Sequence, residues 1–303
     1  GRLAEAATLA GTAATVNGVL EKSGDVDTWA VPLEAGQTLV ASLTASRVLS
    51  SPMDGVLQIV NGRGTVVSQN DDDCSMDPLA TFQAPVNGTW YVRVFAFPAA
   101  PNSSIAFAGG ADYVYRLTLA AQPYVDHVMP LVRQRGSGEQ RLQLHGWNLA
   151  VQEAVLGADQ TVLTGQFAQP WRVYDTAEPV LLEDQLSERL LPALPLVVCG
   201  CLNQPGPDNF RLTLKQGQRL SLSAEVQRFS SLLDPVLSVR DSAGKVLKEA
   251  DDVDGGNPDA ALELTLLGLH LAASDEEPGL RFVITARMRA VRLSDQATLS
   301  DLV

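Results

Sequence analysis

The sequence has few cysteines, few charged residues and no long apolar run. Three cysteines in 303 residues are too few for a disulfide framework, and we expect all three to be free thiols. No apolar stretch reaches the roughly 20 residues that a membrane-spanning helix needs. Charged residues make up only 19% of the chain and hydrophobic residues 46%, whereas a disordered chain is highly charged and poor in apolar residues. The sequence therefore predicts a folded protein without a membrane span.

Basic residues are also scarce. The chain has 22 Lys and Arg residues against 35 Asp and Glu residues, which gives a net charge of -13. Nucleic-acid binding requires a basic face, and anionic membrane surfaces repel such a chain. The charge favours solubility and the binding of cations, so we expect no nucleic-acid partner.

Catalytic motifs are absent from the sequence. The three histidines are His127, His145 and His270; none lies in H-E-x-x-H, and no G-x-S-x-G elbow or phosphate-binding glycine loop is present. His145 follows Leu144 on a predicted strand and is interpreted as structural. We therefore predict that the chain is not an enzyme. A carboxylate pair for glycoside hydrolysis has no sequence signature, so a hidden enzyme remains an alternative.

The sequence does contain one pattern twice, with a spacing of about 180 residues, which indicates two copies of one domain. The stretch from Gly18 to Leu43 corresponds to the stretch that begins at Gly200. The matched pairs are Gly24 and Gly206, Asp27 and Asp208, Trp29 and Phe210, Gly36 and Gly217, Asp54 and Asp234, Gly64 and Gly244, Asp71 and Asp251, and Asp72 and Asp252.

Short runs with period-2 alternation, separated by Gly, Asn and Pro turns, predict an all-β fold. The predicted strands of the first copy are 15–21, 28–33, 38–44, 55–60, 65–69, 80–84, 89–95 and 113–119. Those of the second copy are 209–214, 219–224, 235–240, 245–248, 261–266 and 280–287. We predict tandem jelly-roll-like antiparallel β-sandwiches with a smaller immunoglobulin-like β-domain between them. The predicted domains are 1–121, 122–196 and 197–303, and residues 183–191 are predicted as one short helix.

Each copy resembles the bacterial pre-peptidase C-terminal domain. The first copy has Gly24-Asp25-Val26-Asp27-Thr28-Trp29, then Ala35-Gly36-Gln37, Asp54-Gly55-Val56-Leu57, Asn70-Asp71-Asp72 and Gly88-Thr89-Trp90-Tyr91-Val92. The second copy keeps Asp208, Phe210, Gly217-Gln218, Asp234-Pro235-Val236-Leu237 and Asp251-Asp252. Between them, Gly146-Trp147-Asn148-Leu149 after an alternating run is similar to immunoglobulin-like modules of the TIG type.

The resemblance implies a non-catalytic accessory part of a secreted multidomain protein of the kind found in planctomycetes. It implies secretion or a cell-surface or periplasmic location, with the targeting segment outside this chain, and association with a peptidase and in some relatives with calcium. We expect a monomer that binds or spaces a protein or polysaccharide partner at the cell surface or outside the cell. A carbohydrate- or matrix-binding module and an accessory fragment of a secreted peptidase are the alternatives.

Aspartates concentrate in alternate loops of both copies. If consecutive strands run antiparallel, alternate loops lie at the same end of a sandwich, and flexible loops with several oxygen ligands suit calcium. The predicted calcium ligands are Asp25, Asp27, Asp54, Asn70, Asp71, Asp72, Asp73, Asp77, Asp208, Asp234, Asp251, Asp252 and Asp254. The alternative is that these side chains cap turns and keep strand edges polar.

Overall fold

The structure of the chain is a computed structural model. It describes residues 3–9, 11–73, 76–98, 106–165, 167–202, 206–213, 218–226, 229, 231, 233–254, 257–265 and 279–288. The chain forms two compact units: the first comprises Gly1–Val128 and Gly138–Val173, and the second comprises Met129–Ser137 and Tyr174–Val303. No described helix is long and apolar enough to cross a membrane.

The first unit begins with a 3-10 helix, Leu3–Glu5, followed by nine described strands and one short α-helix. These are β1 Ala7–Thr8, β2 Ala13–Val19, β3 Asp27–Leu33, β4 Thr38–Thr44, α1 Ser46–Leu49, β5 Met53–Val60, β6 Val66–Asn70, β7 Leu79–Gln83, β8 Gly88–Pro98 and β9 Val114–Ala120. They form two sheets, in the orders β1-β3-β8-β5-β6 and β2-β9-β4-β7. Apart from the parallel pair β1–β3, the paired strands of these sheets run antiparallel.

The two sheets pack face to face because their alternating strands direct apolar side chains to a shared core. On β8, Trp90, Val92 and Val94 are buried and belong to the same cluster as Leu117 and Leu119 of β9. A Gly-containing turn, as at Ala35-Gly36-Gln37, reverses the chain between strands, and Gly36 has the positive φ of 85° that favours glycine there. The sandwich therefore follows from period-2 burial and local turn chemistry.

The first unit also contains a smaller set of strands: β10 Tyr124–Met129, β12 Gln140–Trp147, β13 Glu153–Leu156, β14 Val162–Leu163 and β15 Trp171–Arg172. β10, β12 and β13 form a three-stranded sheet in that order. Its buried side chains include Val125, Leu142 and Leu156, which belong to a core cluster separate from that of the sandwich. On β12, Leu142 and Leu144 are buried while Arg141, Gln143 and His145 are exposed, so one face of this sheet meets solvent.

The second unit contains the remaining described strands. These are β11 Val132–Gln134, β16 Tyr174–Thr176, β17 Val180–Leu182, β18 Val197–Cys199, β19 Asp208–Thr213, β20 Arg219–Ala224, β21 Leu233–Arg240, β22 Val246–Ala250, β23 Asp252–Asp254, β24 Asn257–Thr265 and β25 Gly279–Met288. Two sheets, β19-β25-β21-β22 and β20-β24-β23, contribute to one core. Phe210 of β19, Leu237 of β21 and Leu262 of β24 are buried in it.

The two units share details of chain geometry. The order β3-β8-β5-β6 in the first sheet has the same relative sequence order as β19-β25-β21-β22. Leu57 lies opposite Asn70, and Leu237 lies opposite Ala250. A bulge interrupts β5–β6 between Ile59 and Val60, and another interrupts β21–β22 between Val239 and Arg240.

The predicted all-β fold of antiparallel sheets is confirmed. All fourteen predicted strands have an observed counterpart, with ends that differ by a few residues. The single helix predicted at 183–191 is wrong: the segment forms two 3-10 helices, Glu183–Gln185 and Ser187–Arg189, because Leu186 between them has an extended backbone (φ −87°, ψ 108°). The boundaries of three domains stay a prediction, and the segment 122–196 is divided between the two units. The predictions for Cys74, His270 and the tail 289–303 lie outside the described residues.

Candidate acidic cation site

Three aspartates of the second unit converge at one end of its sheet. Asp234, Asp251 and Asp252 each place a carboxylate oxygen within 4.8 Å of the others. Asp234 lies near the start of β21 and is only 4% exposed, whereas Asp251 and Asp252 directly follow β22. Since β21 pairs antiparallel with β22 and Leu237 lies opposite Ala250, the register brings the start of one strand to the end of the other.

The equivalent residues of the first unit, Asp54, Asp71 and Asp72, have the same relation to β5 and β6. Burial, and then the neighbouring charges of Asp72 and Asp71, raise the pKa of Asp54. Burial and Asp71 likewise raise the pKa of Asp72. These three carboxylates therefore repel one another, which is the electrostatic condition that a bound cation relieves.

Asp77 has a different environment from the clustered aspartates. Its side chain is 4% exposed and accepts backbone hydrogen bonds from Ala45 at 3.0 Å, Ser46 at 2.8 Å and Arg47 at 3.3 Å. These donors lie at the start of α1, where N–H groups lack helical partners. Asp259 accepts an equivalent bond from Val226 at 2.6 Å in the second unit. Capping accounts for Asp77 without any metal ion.

Three further predicted ligands are also held by protein donors. Asp25 accepts hydrogen bonds from the backbone of Glu21 at 2.8 Å and Val26 at 3.0 Å. The Asn70 side chain accepts a bond from the backbone of Leu79 at 3.2 Å. Asp208 accepts a bond from Arg189 at 2.6 Å.

Asp27 is half-buried beside Tyr115. The Tyr115 hydroxyl donates a hydrogen bond of 2.5 Å to the Asp27 carboxylate. Burial raises the pKa of Asp27 more than this bond lowers it, and burial together with the carboxylate raises the pKa of Tyr115. Asp27 therefore anchors a core tyrosine.

The last two predicted ligands are Asp73 and Asp254. Asp73 lies on the same loop as Asp71 and Asp72, between β6 and β7. The side chain of Asp254 lies outside the described residues.

The converging carboxylates can bind a hard cation. Calcium takes six to eight oxygen ligands at about 2.3–2.6 Å, and carboxylates within 4.8 Å of one another can contact the same ion. Backbone carbonyls and water complete such sites in flexible loops. The sequence pattern predicted Asp234, Asp251 and Asp252 as ligands of one group. It could not distinguish such residues from capping residues such as Asp77.

The tryptophans are buried or partly buried. Trp90 is buried, and Trp29, Trp147 and Trp171 are partly buried. Trp29 packs against the sandwich core, and Trp147 packs against Tyr124 with ring centroids 5.9 Å apart.

One comparison with known proteins identifies a family in the first sandwich. The family model of the bacterial pre-peptidase C-terminal domain matches residues 25–96, so one domain of this family is found in the first unit. No curated protein matches the chain.

Two solved structures are similar to part of the chain. One is the pre-peptidase C-terminal domain of a collagenase from Bacillus anthracis, with 15% identity and a TM-score of 0.28 over 38% of this chain and 94% of that chain. The other is PliG from Aeromonas hydrophila, a periplasmic inhibitor of g-type lysozyme, with 14% identity and a TM-score of 0.28 over the same shares of the two chains.

Proposed function

We propose that this chain is a non-catalytic, extracytoplasmic part of a secreted multidomain protein that binds or spaces a peptidase or a surface protein. The family match over residues 25–96 supports this proposal. The chain belongs, in this proposal, outside the cytoplasm, at the cell surface or in the periplasm. A carbohydrate- or matrix-binding role is the alternative; Trp90 is buried and does not support it, because a buried ring cannot stack on a sugar.

The second unit is, in this proposal, a second copy of the same domain. The shared strand order, the shared register at Leu57 and Leu237, and the bulge at the same point support it. Its turn adds a further parallel: Asp241 accepts bonds from the backbone of Ala243 and Lys245, as Asn61 does from Arg63 and Thr65. The segment between the copies is the predicted immunoglobulin-like spacer.

Calcium, in this proposal, stabilises the acidic end of each copy. The observation that carries this is the convergence of Asp234, Asp251 and Asp252 within 4.8 Å. The raised pKa values of Asp54 and Asp72 support an equivalent site in the first unit. The ion removes the repulsion between these carboxylates and ties the end of β22 to the start of β21.

The test is thermal unfolding of the purified chain in EDTA and in millimolar calcium. A ligand that binds only the folded state at about 100 times its Kd adds about 2.7 kcal/mol of stability, so we expect the unfolding midpoint to rise by several degrees. In the double variant Asp251→Asn with Asp252→Asn, calcium is expected not to raise the unfolding midpoint of the second unit. In the double variant Asp71→Asn with Asp72→Asn, calcium is expected not to raise the unfolding midpoint of the first unit.

Two controls make the result specific. Asp159→Asn removes a single exposed carboxylate from a turn far in sequence from both clusters and is expected to leave the calcium shift unchanged. Magnesium at the same concentration is expected to act weakly, because it requires stricter octahedral geometry. An unfolding midpoint that is identical in EDTA and calcium would contradict the calcium proposal and leave a spacer with aspartates as turn residues.

A further inference from the structure

Two of the three histidines form a stacked pair in the first unit. His127 lies on β10 and His145 lies on β12, the neighbouring strand of the three-stranded sheet. Their ring centroids are 4.5 Å apart and the ring planes differ by 7°. His145 is exposed and the His127 side chain is 38% exposed. Two imidazoles are thus side by side at a surface that solvent reaches.

Asp126 orients the first of these rings. Its Oδ2 atom lies 3.0 Å from Nδ1 of His127. When Nδ1–H donates to a carboxylate, the ring is fixed as the tautomer whose Nε2 carries a free lone pair. Histidines that bind metals usually have this carboxylate behind the ligating ring, where it holds the ring in place and raises its basicity.

The second ring borders a groove that contains more oxygen atoms. The groove is lined by His145 together with Gln143, Asn148, Gln152 and Glu153.

We propose that the His127–His145 pair, supported by Asp126, binds a divalent transition-metal ion such as Zn²⁺. Imidazole nitrogens bind zinc at about 2.0–2.1 Å, so two nitrogens on one tetrahedral ion lie about 3.4 Å apart. Because the two ring planes differ by only 7°, binding of one ion by both rings requires the exposed His145 ring to turn out of the stacked arrangement. Imidazole selects zinc, copper and nickel, whereas carboxylate and carbonyl oxygens select calcium, so this site is chemically distinct from the acidic clusters.

The experiment is a calorimetric titration of the full chain, without a histidine tag, with Zn²⁺ in the presence of excess calcium. Calcium keeps the acidic clusters occupied, so that zinc reports on the histidines. We expect one site whose affinity falls at least tenfold in His145→Ala and in His127→Ala. Asp126→Asn is expected to weaken binding by about 10- to 100-fold, because it removes the carboxylate behind the ligating ring.

His270→Ala is the matched control, because it removes a histidine that is not in the pair and is expected to leave the affinity unchanged. Circular dichroism verifies that each variant is folded. If His145→Ala is not folded, His145→Gln is used in its place. An absence of zinc binding, or equal binding by wild type and His145→Ala, would overturn the proposal. Loss of binding only in His270→Ala would also overturn it.

Discussion

At the scale of single residues, some aspartates accept specific hydrogen bonds within the fold, and three aspartates of the second unit bring their carboxylates close together. Asp77 accepts three backbone bonds and Asp27 accepts a tyrosine hydroxyl. Asp234, Asp251 and Asp252 instead bring carboxylates together. The first group stabilises the fold directly, whereas the carboxylates of the second group lie close enough together to contact one cation.

Asp77→Ala is therefore expected to destabilise the first unit. The substitution removes the acceptor for the backbone N–H groups of Ala45, Ser46 and Arg47, and leaving buried donors unsatisfied costs about 1–3 kcal/mol. Urea unfolding followed by fluorescence measures the change. The exposed Glu34→Ala is the control and is expected to change stability by less than about 0.5 kcal/mol. Equal stability of the two variants would contradict the capping role.

At the scale of elements, close approaches between strands depend on particular glycines. Gly146 lies in β12 with a φ of 152°, and a Cβ atom there would lie 2.1 Å from the carbonyl oxygen of Tyr124 on β10. Only glycine allows these two strands to approach so closely. Their approach also positions His127 next to His145.

Gly146→Ala is expected to separate β10 from β12 and to lower the free energy of unfolding by at least about 2 kcal/mol, since the added methyl group meets backbone rather than a flexible side chain. The same variant is expected to bind Zn²⁺ more weakly than wild type. Gly62→Ala is the control, because a Cβ atom at Gly62 has no atom within 4 Å. Denaturant unfolding measures the free energy of unfolding of both variants. Equal stability of the Gly146→Ala and Gly62→Ala proteins would contradict the steric role of Gly146.

At the scale of the whole molecule, carboxyl groups whose pKa values differ between the folded and the unfolded chain make stability depend on pH. The pKa values of Asp27, Asp54 and Asp72 are raised in the folded chain, so the folded state holds these protons more tightly than the unfolded state. Each group contributes stability that is fully present below the ordinary Asp pKa of 3.8. That stability is lost as pH rises through the raised value.

We therefore expect that, in EDTA, these three groups lower the free energy of unfolding as the pH rises above 3.8. Asp72→Asn is expected to reduce this loss, because the variant cannot ionise at that position and also relieves Asp54. Urea unfolding at a series of pH values measures the effect, with Asp159→Asn as the control variant. A pH dependence that is the same in wild type and Asp72→Asn would contradict the repulsion.

The same pH series, measured in millimolar calcium and in EDTA, tests whether the ion binds these carboxylates. Because the ion favours ionised carboxylates, the loss of stability above pH 3.8 is expected to be smaller in millimolar calcium than in EDTA. The difference between the two solvents is expected to shrink in Asp72→Asn. A calcium effect that persists unchanged in the variant would place the ion elsewhere.

The sequence by itself determined the all-β fold and the approximate positions of fourteen strands of the two copies. Strand alternation, as at Trp90, Val92 and Val94, involves only a few neighbouring positions, and so do turn residues such as Gly36. Both can therefore be predicted without the tertiary structure. The recurrence of Asp54 and Asp71 at Asp234 and Asp251 likewise placed these residues in one group, because antiparallel strands send alternate loops to the same end.

Only the tertiary structure decided which aspartates converge and which serve the backbone. Asp77 contacts N–H groups 30 to 32 residues away, and Asp234 meets Asp251 and Asp252 only because of the β21–β22 register. His145, interpreted from the sequence as structural, is stacked on His127 of another strand. These contacts depend on long-range strand pairing, which local residue patterns do not specify.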